Sequence, residues 1–148
     1  MTDTTPTESN LSGLDRKDFQ KNINSRKTDL YILKNAQGME VAVTNYGCAI
    51  LSIMVPDKNG KFANVILGHD SIEHVINSPE PFLSTTIGRY GNRIANGKFT
   101  LYGEEHQLTV NNGPNSLHGG PTGFHARVWD AVQPNESTVI FNYTSAVR

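Results

Sequence analysis

From Leu30 onward, short apolar runs alternate with turn residues. LYILKN is followed by the turn AQG and then by MEVAVTN. In that second run Met39, Val41 and Val43 alternate with Glu40, Ala42 and Thr44, which suits a half-buried strand. CAILSIMVP is a longer apolar run that Pro56 ends. The turn DKNG at 57–60 carries an Asn-Gly pair, a strong hairpin signal. NVILGH then reads as another buried strand.

SIEHVINSP at 71–79 is the best helical candidate. Asp70 or Ser71 caps it, Glu73 sits in its first turn and Pro79 lies beyond its end. GKFTLYGEEHQLTV reads as a hairpin with Gly103 in the turn. RVWDAVQ and STVIFNYTS close the chain as two strands around the turn PNE. Seven or eight closely spaced strands with one short helix predict an all-β fold, an antiparallel β-sandwich rather than a βαβ architecture. A strand beside a terminus leaves ladder groups unpaired, so more sheet is expected after STVIFNYTS.

Composition narrows the function classes. The chain has 148 residues, enough for one domain with a real core. Its net charge of -1 offers no basic excess for a nucleic-acid partner. No apolar run reaches the length of a membrane span. The lone Cys48 lies in an apolar run and reads as a small buried hydrophobe rather than a reactive thiol. Residues 1–13 are polar, without a signal-peptide h-region, and read as a disordered leader before a domain at 14–148. A cytoplasmic location is the matching expectation, with a periplasmic or secreted one if a signal has been removed.

Two stretches carry candidate chemistry. NNGPNSLHGG at 111–120 holds His118 among residues that favour neither helix nor strand, with glycines that open room for a ligand. GRYGNRIANGKF at 88–99 holds Arg89, Asn92 and Arg93, whose donors suit a polyol or a carboxylate. One of the arginines, Arg89, is expected to be structural. The other histidines lack metal-site spacing: His106 reads as a partly exposed strand residue, His74 as surface and His69 as undecided. No carboxylate falls in a site-like stretch, so no general base is nominated. No GxSxG, P-loop or GxGxxG occurs.

Taken together, TNYGCAILSIMVPDKNGKFANVILGHDSIEHV, GRYGNRIANGKFTL and QLTVNNGPNSLHGGPTGFHARVW closely resemble the aldose 1-epimerase (galactose mutarotase) family, from about Gly13 to Tyr143. The resemblance implies a galactose-mutarotase-type β-sandwich with a sugar cleft on one sheet. It implies interconversion of the α and β anomers of free aldoses, without cofactor or metal. A base takes the anomeric O1 proton, an acid protonates the ring oxygen, the ring opens, and reclosure inverts C1. Residue by residue, it assigns Asn92 and Arg93 to a sugar-binding pair and His118 to a histidine that contacts and polarises the sugar. The family's acid histidine, base glutamate and a further sugar-binding aspartate find no counterparts among these residues. Where the family commonly has an acidic residue, His125 reads as surface drift.

The expectation is therefore an N-terminal portion of the fold, with part of the sugar cleft and without the catalytic pair. The alternative is a non-catalytic carbohydrate-binding β-sandwich fragment. Exposed sheet edges would favour self-association in either case.

Overall fold

The computed structural model describes residues 9–146. Two short strands, β1 (Asn22–Ile23) and β2 (Arg26–Lys27), form a small ladder. The main sheet follows, with β3 (Leu30–Lys34), β4 (Glu40–Thr44), β5 (Ile50–Pro56) and β6 (Phe62–Asn64) in sequential antiparallel order. Asp57 closes the β5–β6 turn: its Oδ1 accepts from Asn59 and Lys61 N–H at 2.8 and 2.9 Å. That is an Asx turn at the position where the Asn-Gly signal placed one.

The helix α1 (Ile72–Ile76) forms inside the 71–79 candidate segment. Ser71 is its cap, accepting from His74 N–H at 3.3 Å. Its apolar face delivers Ile72 and Val75 into a core with Phe19, Leu30, Ala42, Ala49 and Leu51.

Three further two-stranded ladders complete the described chain. β7 (Arg93–Ile94) pairs with β10 (Ser116–Leu117). β8 (Lys98–Leu101) and β9 (Glu104–Gln107) form the predicted hairpin. Tyr102 and Gly103 both take positive φ in its turn, as a two-residue hairpin loop requires. β11 (Asp130–Asn135) pairs with β12 (Thr138–Asn142). Pro134 and Asn135 belong to β11 rather than to the turn, and a register shift between Val132 and Asn135 accommodates the proline.

Two expectations are corrected. The first concerns β4: Glu40 at 1 % exposure, Ala42 at 0 % and Thr44 at 0 % are its more buried face, not the Met39–Val41–Val43 side. The small residues suit a crowded core. Glu40 survives there because its two oxygens accept the Leu11 and Ser12 N–H groups, at 2.9 and 3.1 Å. Residues 9–13 of the polar leader are thus tied to the sheet, and residues 1–8 lie outside the described residues.

The second correction concerns NVILGH. The ladder stops at Asn64, whose Oδ1 accepts from Ile53 and Ile66 N–H, and Val65 and Leu67 are exposed. Gly68 then passes so close to β5 that a Cβ there would lie 1.9 Å from the Leu51 carbonyl oxygen.

Candidate functional site

The β7–β10 ladder joins the two candidate stretches. Asn92 immediately precedes β7 and His118 immediately follows β10. Their backbones and side chains interlock: Asn92 N–H donates to His118 Nδ1 at 2.9 Å, and His118 N–H donates to the Asn92 carbonyl at 3.0 Å. Both residues take positive φ, 65° and 55°. Asparagine and histidine tolerate that region better than most residues, and the reciprocal bonds hold them there. Because Nδ1 accepts, the ring proton of neutral His118 sits on Nε2, leaving an N–H donor.

Arg93 is aimed by two asparagines. Its Nε donates to Asn112 Oδ1 at 2.9 Å and its Nη1 to Asn92 Oδ1 at 3.4 Å. Nη2 makes no hydrogen bond among the described residues. The loop itself is stapled by Asn111, whose side chain accepts from Leu117 N–H at 2.7 Å and donates to the Leu117 carbonyl at 3.0 Å. The asparagines of NNGPNSLHGG are therefore structural, and Asn112 orients Arg93. Sequence reasoning missed that role; a run of turn-forming asparagines gives no sign of which partner each will take.

Gly119 is packed against backbone on the side where a Cβ would stand. It has φ +89°, and a Cβ would fall 1.9 Å from the Gly88 carbonyl oxygen. Gly88 in turn abuts the Phe124 ring, at 2.3 Å from an added Cβ. The glycines let the two candidate loops cross in backbone contact.

On the exposed side lies an open groove of about 1200 Å³. Asn92, Arg93, Arg89, His106, Arg127 and Tyr143 are among its walls. Gly119 also lines it, whereas the His118 ring does not and connects to it through Asn92. The groove's carboxylate, Glu105, is engaged with Lys98 Nζ at 2.9 Å. His106, half-buried, stacks on Phe99 at 4.9 Å. Arg89 donates to Ser145 Oγ through Nε and Nη2, at 2.9 and 2.6 Å, and to the Ala146 carbonyl, the structural employment expected of it.

His125 corrects the sequence reading. It is buried, at 5 % exposure, rather than on the surface. The Phe82 ring packs edge-on against it at 4.6 Å and against His118 at 4.9 Å. Its Nδ1 has no hydrogen-bond partner. Burial holds its pKa below the ordinary histidine value, with smaller contributions from His118 and Arg127. Phe82 carried no motif signal at all. Cys48 fits the small-hydrophobe reading: burial pushes its thiol up to about 12. His74 is exposed and pairs with Asp70.

A sequence model of the family described as Aldose 1-epimerase matches residues 29–148. Galactose mutarotase from Bos taurus is 43% identical over 91 residues, covering 62% of this chain and 26% of that protein. Aldose 1-epimerase from Escherichia coli (strain K12) is 40% identical over 116 residues, covering 78% of this chain and 33% of that one. The crystal structure of an aldose epimerase homologue from C. elegans superposes with a TM-score of 0.73 at 33% identity, over 77% of this chain and 35% of that chain. Galactose 1-epimerase from Lactobacillus acidophilus NCFM gives a TM-score of 0.64 at 32% identity, over 76% and 32% of the two chains. The chain spans about a quarter to a third of the length of the curated relatives it matches. Among the described residues, no helix is long and apolar enough to cross a membrane.

Proposed function

The chain belongs to the aldose 1-epimerase family, and from that premise we propose that residues 92, 93 and 118 form the sugar-holding arm of an anomer-interconverting site. The interlock of Asn92 with His118 is the observation that carries this reading. It turns a loop histidine into a preset donor. Asn92, to which that histidine is bonded, and Arg93 stand on the groove wall. Together these groups offer N–H donors to the hydroxyl oxygens of a pyranose, the pattern a neutral polyol needs. Glucose and galactose are the aldoses proposed.

The reaction needs a base at the anomeric hydroxyl and an acid at the ring oxygen. Among the groove's described groups no carboxylate base is free. Glu105 is held by Lys98, and His118 has its Nδ1 occupied by Asn92. The proposal therefore assigns the described residues the binding share of the chemistry: holding the sugar and polarising it through Nε2–H.

The test adds fresh α-galactose to the purified chain. Saturable amide shifts at Asn92, Arg93 and His118 are expected, while optical rotation decays at the buffer rate. Shifts confined to other segments overturn the site, and an accelerated decay overturns the division between binding and proton transfer.

A further inference from the structure

We propose that Phe82 and His125 are positioning residues for His118, holding its ring so that Nε2–H points toward a bound aldose. The inference rests on the sugar-site reading above and adds to it two residues outside the binding motifs. A single hydrogen bond, from Asn92 to Nδ1, fixes one atom of the His118 ring and leaves a pivot about it. The Phe82 ring closes that pivot. Its centroid lies 4.9 Å from His118 at an interplanar angle of 66°. The same ring lies 4.6 Å from His125 at 61°. Both are edge-to-face contacts, in which the positive edge of one ring meets the negative face of another.

Phe82 itself needs support. It sits in a loop between α1 and β7, outside any strand, and its backbone carbonyl accepts one bond, from Thr85 N–H at 3.4 Å. His125 is the fixed wall. It is 5 % exposed, and its backbone abuts Gly47, where an added Cβ would lie 2.3 Å from the His125 carbonyl oxygen. Gly47 N–H also donates to the Arg127 carbonyl at 2.7 Å, pinning the residues around His125 to the turn between β4 and β5. The order of support runs from that turn through His125 and Phe82 to His118.

The wall is titratable. His125 Nδ1 is buried without a partner, so a proton added there has no acceptor. The turn packed on it carries Tyr46, the loop of Phe82 carries the exposed Glu80, the HGG loop carries His118, and Arg127 follows it in the chain. His118 and Arg127 both oppose a positive charge on His125. Acidification through the His125 transition therefore loosens the Phe82 contact and releases the His118 ring. Sugar affinity falls with that transition.

The test is NMR of the chain with labelled histidine side chains, alone and with galactose, from about pH 8 to about pH 5. The wild-type His118 ring is expected to show one tautomer, with an acceptor Nδ1 and a protonated Nε2, and to sense the His125 titration. Phe82→Leu keeps apolar bulk and removes the ring. It is expected to average the His118 tautomers and to weaken galactose binding by roughly threefold to tenfold. Phe82→Tyr restores both. His125→Phe removes the titration, so the pH response of His118 at that transition disappears.

An unchanged His118 tautomer in folded Phe82→Leu overturns the proposal. If that variant does not fold, a wild-type His118 ring blind to the His125 titration overturns it equally. Absence of galactose binding with the ring signatures intact sinks the sugar-site reading and leaves the positioning contact standing.

Discussion

Gly119→Ala separates a glycine kept for backbone contact from one kept for conformation alone. At Gly119 an added Cβ meets the Gly88 carbonyl oxygen at 1.9 Å and its carbonyl carbon at 2.7 Å, with φ at +89°. The neighbour is backbone, so it cannot swing aside. The left-handed conformation costs an alanine about 1–2 kcal/mol. Forcing the two loops apart costs about 1–3 kcal/mol more. Gly113 is the internal control: its φ is +56° and nothing lies within 4 Å of an added Cβ. Gly113→Ala should therefore cost only the conformational part.

Urea denaturation followed by the fluorescence of Trp129, the single tryptophan, measures both. With a slope of about 1–3 kcal/mol per molar urea, the two midpoints should differ by roughly 1 M. Equal midpoints for the two variants would refute the crossing of the two candidate loops in backbone contact.

Three other perturbations read separate parts of the structure. Glu40→Ala leaves the Leu11 and Ser12 N–H groups without their acceptor; about 1–3 kcal/mol of stability should go, with faster amide exchange at those two residues. His125 has a folded pKa below its unfolded value, so the unfolded chain binds more protons in the window between the two. Stability should hold above about pH 6.5 and fall as pH drops through the lowered folded value, and thermal melts of His125→Phe should lose that component. The Cys48 thiol, raised to about 12, has a much smaller thiolate fraction at neutral pH; higher intrinsic nucleophilicity offsets part of that, so it should react with iodoacetamide roughly thirtyfold more slowly than a free thiol, and a fast reaction in the folded chain would contradict its burial.

Three local turns and caps of the chain were legible in its sequence. The Asp57 turn, the Ser71 cap and the Tyr102–Gly103 hairpin each depend on one or two residues and their immediate neighbours. The strand phase of β4 was not, because alternation cannot reveal that Leu11 and Ser12 supply donors to a buried Glu40 from 28 and 29 residues away. The end of β6 was hidden for a similar reason: an asparagine side chain replaces the ladder that the apolar run suggested. Asn92, Arg93 and His118 stood out through their motifs, and the β7–β10 ladder brings them together. The residues that aim them did not stand out. Asn112 looks like any turn asparagine, Phe82 like any loop aromatic, and His125 like a polar surface position until Gly47 and Phe82 enclose it.

The claim at the centre of this account is that the Asn92–Arg93–His118 cluster holds an aldose. Calorimetric titration of galactose into the wild-type chain and into His118→Ala tests it most directly. Saturable heat from the wild type, lost in His118→Ala while the variant keeps its fold, is the predicted result. Wild-type heat that His118→Ala leaves unchanged, or no heat at any attainable galactose concentration, contradicts it.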